Sequence, residues 1–258
     1  MGTPNKKRRV KTADTVFGII EILQKREGAG VTEIARELGV AKSTVHDHLR
    51  TLVDKQYVVH DGSEYRIGLK FLDHGIHARN TLKASRIAQR TLDELADETG
   101  EAAWFMVEEY GQAVFATKAM GDHGVQTHSR VGKREYMHCL ASGKAMLAHM
   151  PEERTLDIID KYGLPQMTEQ TITDLDGLSA ELEQIRERGY AYNNGERVLR
   201  LKSVAAPVLD NEDRVLGAIS IPGPKHRVES TDFEHDLVDA LLAATNEIEL
   251  RYEYPMES

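Results

Sequence analysis

The chain has 258 residues, 40% hydrophobic and 29% charged, with 7 prolines and 20 glycines, a length suited to two domains and a composition that excludes collagen-like, mucin-like or largely disordered chains. No apolar run approaches the ~20 residues that span a bilayer, the basic N-terminus lacks the apolar stretch of a secretory signal, and one cysteine forms neither an internal disulfide nor a thiolate zinc cage, so a cytoplasmic protein with no membrane partner is expected. The net charge of −9 divides unevenly: residues 1–70 carry 13 Lys+Arg against 9 Asp+Glu, so the remainder holds −13, an asymmetry expected when one part meets a polyanion and the rest stays soluble.

The segment holding Lys6, Lys7, Arg8, Arg9 and Lys11 has almost nothing to bury. Residues 1–11 read as a basic arm that tracks phosphates or enters a minor groove. Asp14 is the expected cap of a first helix with Val16, Phe17, Ile19, Ile20, Ile22 and Leu23 in its apolar stripe, and Gly28-Ala29-Gly30 ends it. Thr32 is the expected cap of a short second helix that Gly39 closes. A third helix starts near Lys42 and turns Val45, Leu49, Leu52 and Val53 inward. Tyr57 to His60, an Asp61-Gly62 turn, and Tyr65 to Ile67 form a hairpin. Helix, helix, glycine turn, helix and hairpin is the layout of a winged helix-turn-helix over residues 12–68. The outer side of the third helix carries Lys42, Ser43, Thr44, His46, Asp47, His48 and Arg50. Short hydroxyls and donors at a helix start suit phosphates and base edges better than a merely solvated face.

Residues 69–81 read as a connecting helix with Asn80-Thr81 as its break, and Leu72, Ile76, Leu82, Ile87, Leu92 and Leu95 spaced as a partly buried stripe. From 82 to 258 hairpins and helices mix without strand–helix alternation. Strands are expected around 102–107 and 113–116 and again around 203–209 and 215–221. Helices are expected at 142–150, 151–162, 175–188 and 231–252. This indicates an α+β domain with helices on one side of the sheet, the kind of domain in which a small ligand sits between sheet and covering segments.

Val31-Thr32-Glu33-Ile34-Ala35-Arg36-Glu37-Leu38-Gly39-Val40-Ala41-Lys42-Ser43-Thr44-Val45-His46 resembles the helix-turn-helix of the IclR family of prokaryotic transcription regulators, and Tyr65-Arg66-Ile67-Gly68-Leu69 is similar to the end of its wing. Gly132 to Ala145, Gly189-Tyr190-Ala191, Val204 to Val208 and Ala218 to Pro224 resemble blocks of that family's effector-binding domain, in the right order. The resemblance implies a GAF/PAS-like α+β effector domain behind the winged helix. It implies DNA contacts from the arm, Thr32, Lys42, Ser43, Thr44, His46, His48 and Arg50. It also implies an effector pocket of Ala141, Ser142, Asn193, Leu201, Ser203 and Ser220, and a connector that acts as a lever and joins dimer contacts. The implied function is regulation of metabolic genes by a homodimer or homotetramer on a pseudo-palindromic duplex operator, in response to a small metabolite such as a carboxylate or sugar acid. The chain departs from the family pattern at Asn193, where Asp is usual, at Gly195, usually acidic, at Arg200, usually Gly, at Ser203, often Cys, and at Pro222, usually small and polar. Arg200 is read as a surface residue, since unpaired buried Arg is rare; pointing inward, it would favour an anion.

Other chemistry is weaker. His138-Cys139 are neighbours, and neighbours on a strand point apart, which argues against a nucleophile and its base. Ser142-Gly143-Lys144 lacks the upstream glycine and following hydroxyl of a phosphate loop. His123, His128, His138 and Cys139 fit no standard zinc spacing. No metal, cofactor or catalytic residue is expected. The remaining alternative is a small-molecule enzyme carrying an accessory nucleic-acid-binding head.

Overall fold

The structure, a computed structural model, describes residues 10–125, 129–228 and 231–254. Lys6, Lys7, Arg8, Arg9 and His128 therefore lie outside the described residues. The fold divides into two units after Ala78.

In the first unit, helix α1 (Lys11–Arg26) buries Ile19, Ile22 and Leu23, whose spacing puts them on one face. It begins at Lys11, ahead of the expected cap Asp14, because the Val10 carbonyl already accepts the N–H groups of Ala13 and Asp14. Lys11 thus belongs to a helix and not to the arm. Helix α2 (Val31–Leu38) starts where Glu33 Oε2 reaches back to the Gly30 N–H at 3.0 Å, which makes Gly30 the cap. Thr32, expected to cap, is an exposed residue of the first turn. Gly39 ends α2 at a φ of 66°, left-handed backbone that suits glycine. Helix α3 (Lys42–Asp54) buries Val45, Leu49 and Leu52, and Val53 is half-buried.

The wing consists of β1 (Val58–Asp61) and β2 (Glu64–Ile67), antiparallel from Val58↔Ile67 to Asp61↔Glu64. Asp61, expected in the turn, is paired, and the two-residue loop is Gly62-Ser63. Ala29 exchanges backbone hydrogen bonds of 3.0 and 2.9 Å with Tyr65, which ties the wing to the α1–α2 link. Helix α4 (Lys70–Thr81) buries none of its residues: Leu72 and Ile76 are 59% and 41% exposed and Leu82 beyond it 44%, so the expected partly buried stripe is exposed in its first half and buried only at Leu92 and Leu95 in the helix that follows. Propensity and period make a helix there, but among the described residues none covers Leu72 or Ile76.

The second unit opens with α5 (Lys83–Thr99) and is built on one antiparallel sheet. Its strands are β3 (Ala102–Glu109), β4 (Gln112–Met120), β5 (Arg134–Glu135), β6 (Ala191–Asn194), β7 (Leu201–Leu209) and β8 (Val215–Pro224). They lie in the order β5-β4-β3-β8-β7-β6. The helices are α6 (Ala141–His149), α7 (Glu152–Tyr162), α8 (Leu175–Arg188), the short α9 (Lys225–Val228) and α10 (Thr231–Glu253).

Side chains alternate across the sheet. Ala103, Phe105, Val204, Ala206, Val208, Ile219 and Ile221 pack with α5 and α10 on one face. Trp104, Met106, Phe115, Ala205 and Ala218 pack with α6 and α8 on the other. Helices therefore cover both faces, which corrects the expected one-sided arrangement. The reason is visible in β3, β7 and β8: they are apolar at odd and even positions alike, as strands buried on both faces are.

Helix α6 approaches the chain before it so closely that a Cβ on Gly143 would fall 2.1 Å from the Met137 carbonyl oxygen. Gly143→Ala should therefore displace the start of α6 and cost stability, by about 1–3 kcal/mol as over-packing generally does. Urea unfolding of both proteins, read as a shift in midpoint at constant slope, checks this.

Candidate functional site

Two surfaces carry polar groups that the protein does not use itself. The first is α3. Lys42, Ser43, His46 and Arg50 are exposed, and Thr44 and His48 half-buried, on the side opposite Val45 and Leu49. Among the described residues none of these six side chains makes a hydrogen bond or ion pair within the protein. The helix begins without a side-chain cap or an acidic residue in its first turn, and Lys42 sits at its positive end. Each of these is unfavourable for an isolated helix. All are favourable toward a polyanion.

The second is a cavity of about 390 Å³ on the α6 side of the sheet. Ala141, Ser142, Asn193, Leu201, Ser203 and Ser220 all line it. Register explains why residues far apart in sequence meet there. Trp104 pairs with Ser220 and Ser220 with Ala205, while Asn193 pairs with Ser203 and Ser203 with Pro222. Two cross-strand rows thus present one face to the cavity.

The start of α6 is open. Leu140 is its N-cap and offers no side chain to the first amides, and its first turn holds no acidic residue. Helix α8, by contrast, has Asp174 accepting from the Gly177 N–H at 2.8 Å. Ser142 turns its hydroxyl to the Met106 sulfur at 2.8 Å, and a thioether is a weak acceptor. Ser203 and Ser220 spend their hydroxyls on no protein partner among the described residues. Asn193 is a brace: its Nδ2 donates to the Cys139 carbonyl and its Oδ1 accepts from the Glu196 N–H at 3.1 Å.

Sequence reasoning missed the apolar wall of Trp104, Met106 and Phe115, although the i, i+2 spacing of the first two on a strand marks a shared face. It also missed Lys133, Glu135 and Arg197, which no motif announces. Arg197 grips Glu135 through two nitrogens at 3.1 and 2.7 Å, and Lys133 adds a contact at 2.8 Å. Burial by itself would raise the Glu135 carboxyl, but the hydrogen bonds from Arg197 and Lys133 outweigh it and hold the group below its ordinary value. Arg200 is exposed, as expected, yet it also lines the cavity.

His138 and Cys139 occupy a turn and not a strand. The His138 ring contacts the Pro165 carbonyl at 3.1 Å, and burial lowers its pKa. Burial pushes the Cys139 thiol up to about 12. A thiol so protonated is a poor nucleophile.

In the first turn of α6 Lys144 is 1% exposed, and its Nζ donates to Glu196 at 2.7 Å and to Glu181 at 3.3 Å. Burial raises the Glu196 carboxyl, and the Lys144 charge opposes that rise. The pair fastens α6 to the loop from 195 to 200, the loop that brings Arg197 and Arg200 to the cavity. Removing one partner of a buried pair strands the other. Lys144→Met should cost about 3–5 kcal/mol, whereas Lys144→Met with Glu196→Gln should recover much of the loss. A double-mutant cycle by denaturant unfolding checks the coupling.

The sequence matches two known domains: "IclR helix-turn-helix domain" over residues 12–62 and "Bacterial transcriptional regulator IclR C-terminal" over residues 77–250. It is 31% identical over 223 residues to the HTH-type transcriptional repressor AllR of Escherichia coli, covering 84% of this chain and 81% of that protein. The fold is similar to the crystal structure of the Thermotoga maritima IclR, with a TM-score of 0.81 and 26% identity over 95% of this chain and all of that one. An IclR homolog from Microbacterium hydrocarbonoxydans, complexed with 4-hydroxybenzoate, shares the fold at a TM-score of 0.81 and 20% identity, covering 94% of this chain and 99% of its own. With both domains matched in order along the chain, the protein belongs to the IclR family of DNA-binding transcriptional regulators and is not an enzyme.

Proposed function

We propose that the protein controls metabolic, chiefly catabolic, genes by binding a pseudo-palindromic operator as a homodimer or homotetramer and releasing or retaining it in response to a small carboxylate. In this reading residues 1–10 form an arm on the phosphates and 11–68 read the DNA. Residues 69–81 link copies and domains, and 82–258 hold the effector. The cytoplasm is its compartment. Lys42, Ser43, Thr44, His46, His48 and Arg50 are the reading face, with Thr32 and Lys6 to Arg9 on the backbone. One recognition helix covers few base pairs, so two-fold pairing doubles the information at a fixed half-site spacing. The uncovered apolar residues of α4 supply a surface for the second copy.

The observation that carries the effector reading is the cavity with unspent donors beside an uncapped helix start. Four N–H groups at a helix N-terminus lack intrahelical partners, and a carboxylate satisfies them. The homolog that holds 4-hydroxybenzoate is an example of a relative with an organic acid.

Because Ser142 is turned to Met106, the hydroxyls free to orient the acid are those of Ser203 and Ser220. A hydrogen bond to a charged group contributes about 1.5–3 kcal/mol. Ser203→Ala with Ser220→Ala should thus weaken effector binding by roughly two orders of magnitude or more and leave effector-free operator affinity unchanged. Calorimetry against a panel of organic acids, with footprinting of a two-fold operator by both proteins, tests the reading. Unchanged effector affinity places the ligand elsewhere.

A further inference from the structure

We propose that the cavity is built for a dianionic organic acid, and that Arg200 is the residue that selects two negative charges over one. The inference rests on the reading of this cavity as the effector site and adds the charge class of the ligand.

The wall charge is the starting point. Among the described residues, the cavity is lined by three cations, Lys133, Arg197 and Arg200, and by one anion, Glu135. Glu135 is nearly buried and held by both Lys133 and Arg197, so it stays ionised and its single charge is shared between two cations. A net of two positive charges remains on the wall. Arg200 makes no side-chain hydrogen bond or ion pair among the described residues, and its backbone carbonyl is fixed by the Lys225 N–H at 3.0 Å. The backbone under this guanidinium is anchored while the charge is uncommitted, the arrangement that suits a planar, bidentate donor awaiting a carboxylate.

A second, independent feature points to a ligand. Ser220 is 7% exposed, lines the cavity, and has no hydrogen-bond partner in the protein. Its hydroxyl opens onto the cavity, where a bound group can supply the hydrogen bond that the protein does not. The cavity thus offers neutral donors at its buried wall and at the start of α6, and a free cation at its exposed rim. Trp104, Phe115 and Leu201 line the same space with apolar surface. That layout accepts a carboxylate inside, a short apolar body, and a second carboxylate at Arg200. A monoanion would leave one wall charge unanswered.

The test is calorimetry on the full chain with acids matched in skeleton: butyrate against succinate, valerate against glutarate, and benzoate against terephthalate. In at least one pair the diacid is expected to bind roughly tenfold or more tighter, the scale of one charge-assisted contact at a partly exposed site. Arg200→Gln should abolish that preference by weakening the diacid alone, with the monoacid within about twofold, and Arg200→Lys should restore part of it. Equal melting temperatures of the three proteins establish that the exposed substitution leaves the fold intact. Equal binding of mono- and diacids, or a preference that survives Arg200→Gln, overturns the proposal while the carboxylate reading stands. If none of the six acids binds at all, the carboxylate reading and this proposal both fall.

Discussion

An antiparallel sheet buried on both faces is the constraint from which the second unit follows. Strands β3, β7 and β8 are apolar at consecutive positions, so both faces call for cover. Helices α5 and α10 close one face with a continuous cluster that reaches from Ala84 to Ile248. The other is closed by α6 and α8 over only part of its area. Where α6 begins, cover stops and the cavity starts. The helix start, the open sheet face and the polar residues of the two cross-strand rows are therefore products of one packing decision. The contact of Gly143 with the Met137 backbone sets how closely α6 comes down.

The buried Lys144–Glu196 pair links that scaffold to the loop that brings cations to the cavity. A largely buried pair contributes modestly to net stability, but it fixes geometry, because either charge alone would be far worse. Here it joins the third turn-forming residue after Ala141 to the loop carrying Arg197 and Arg200. Asn193 adds a neutral brace between the Cys139 carbonyl and the same loop. Both contacts tie α6 and the turn before it to the loop that carries Arg197 and Arg200. In the first unit the corresponding device is simpler: the Ala29–Tyr65 bridge locks the wing to the helices, leaving α3 free to turn its polar side outward.

Much of this was legible in the sequence where local rules act alone. Gly39 and the apolar spacing of Val45, Leu49 and Leu52 mark the helix-turn-helix. The bounds of α8 are marked by Asp174 and Gly189. Six pocket residues proposed from the resemblance do line one cavity. Caps were less legible: Thr32 and Asp14 have the right chemistry, but Glu33 and the Val10 carbonyl reach the amides first. The two-sided cover of the sheet was misjudged because apolar runs in β3 and β7 do not say which helices will lie on which side. Lys133, Glu135 and Arg197 were invisible, since their meeting depends on the β4–β5 register and on a loop, neither of which has a sequence period. Arg200 was correctly read as exposed, while its place at the cavity follows only from the course of the loop before β7.

The central claim is that one chain couples an acid-binding cavity to a DNA-reading helix. Thermodynamic reciprocity gives it a direct measurement: the affinity of a bound organic acid for the free protein and for the protein–operator complex, alongside operator affinity with and without that acid. The account predicts that the two ratios are equal and differ from one, in the range of about 5–150-fold typical of such coupling. An acid that binds free and operator-bound protein with the same affinity would contradict it, however tightly it binds.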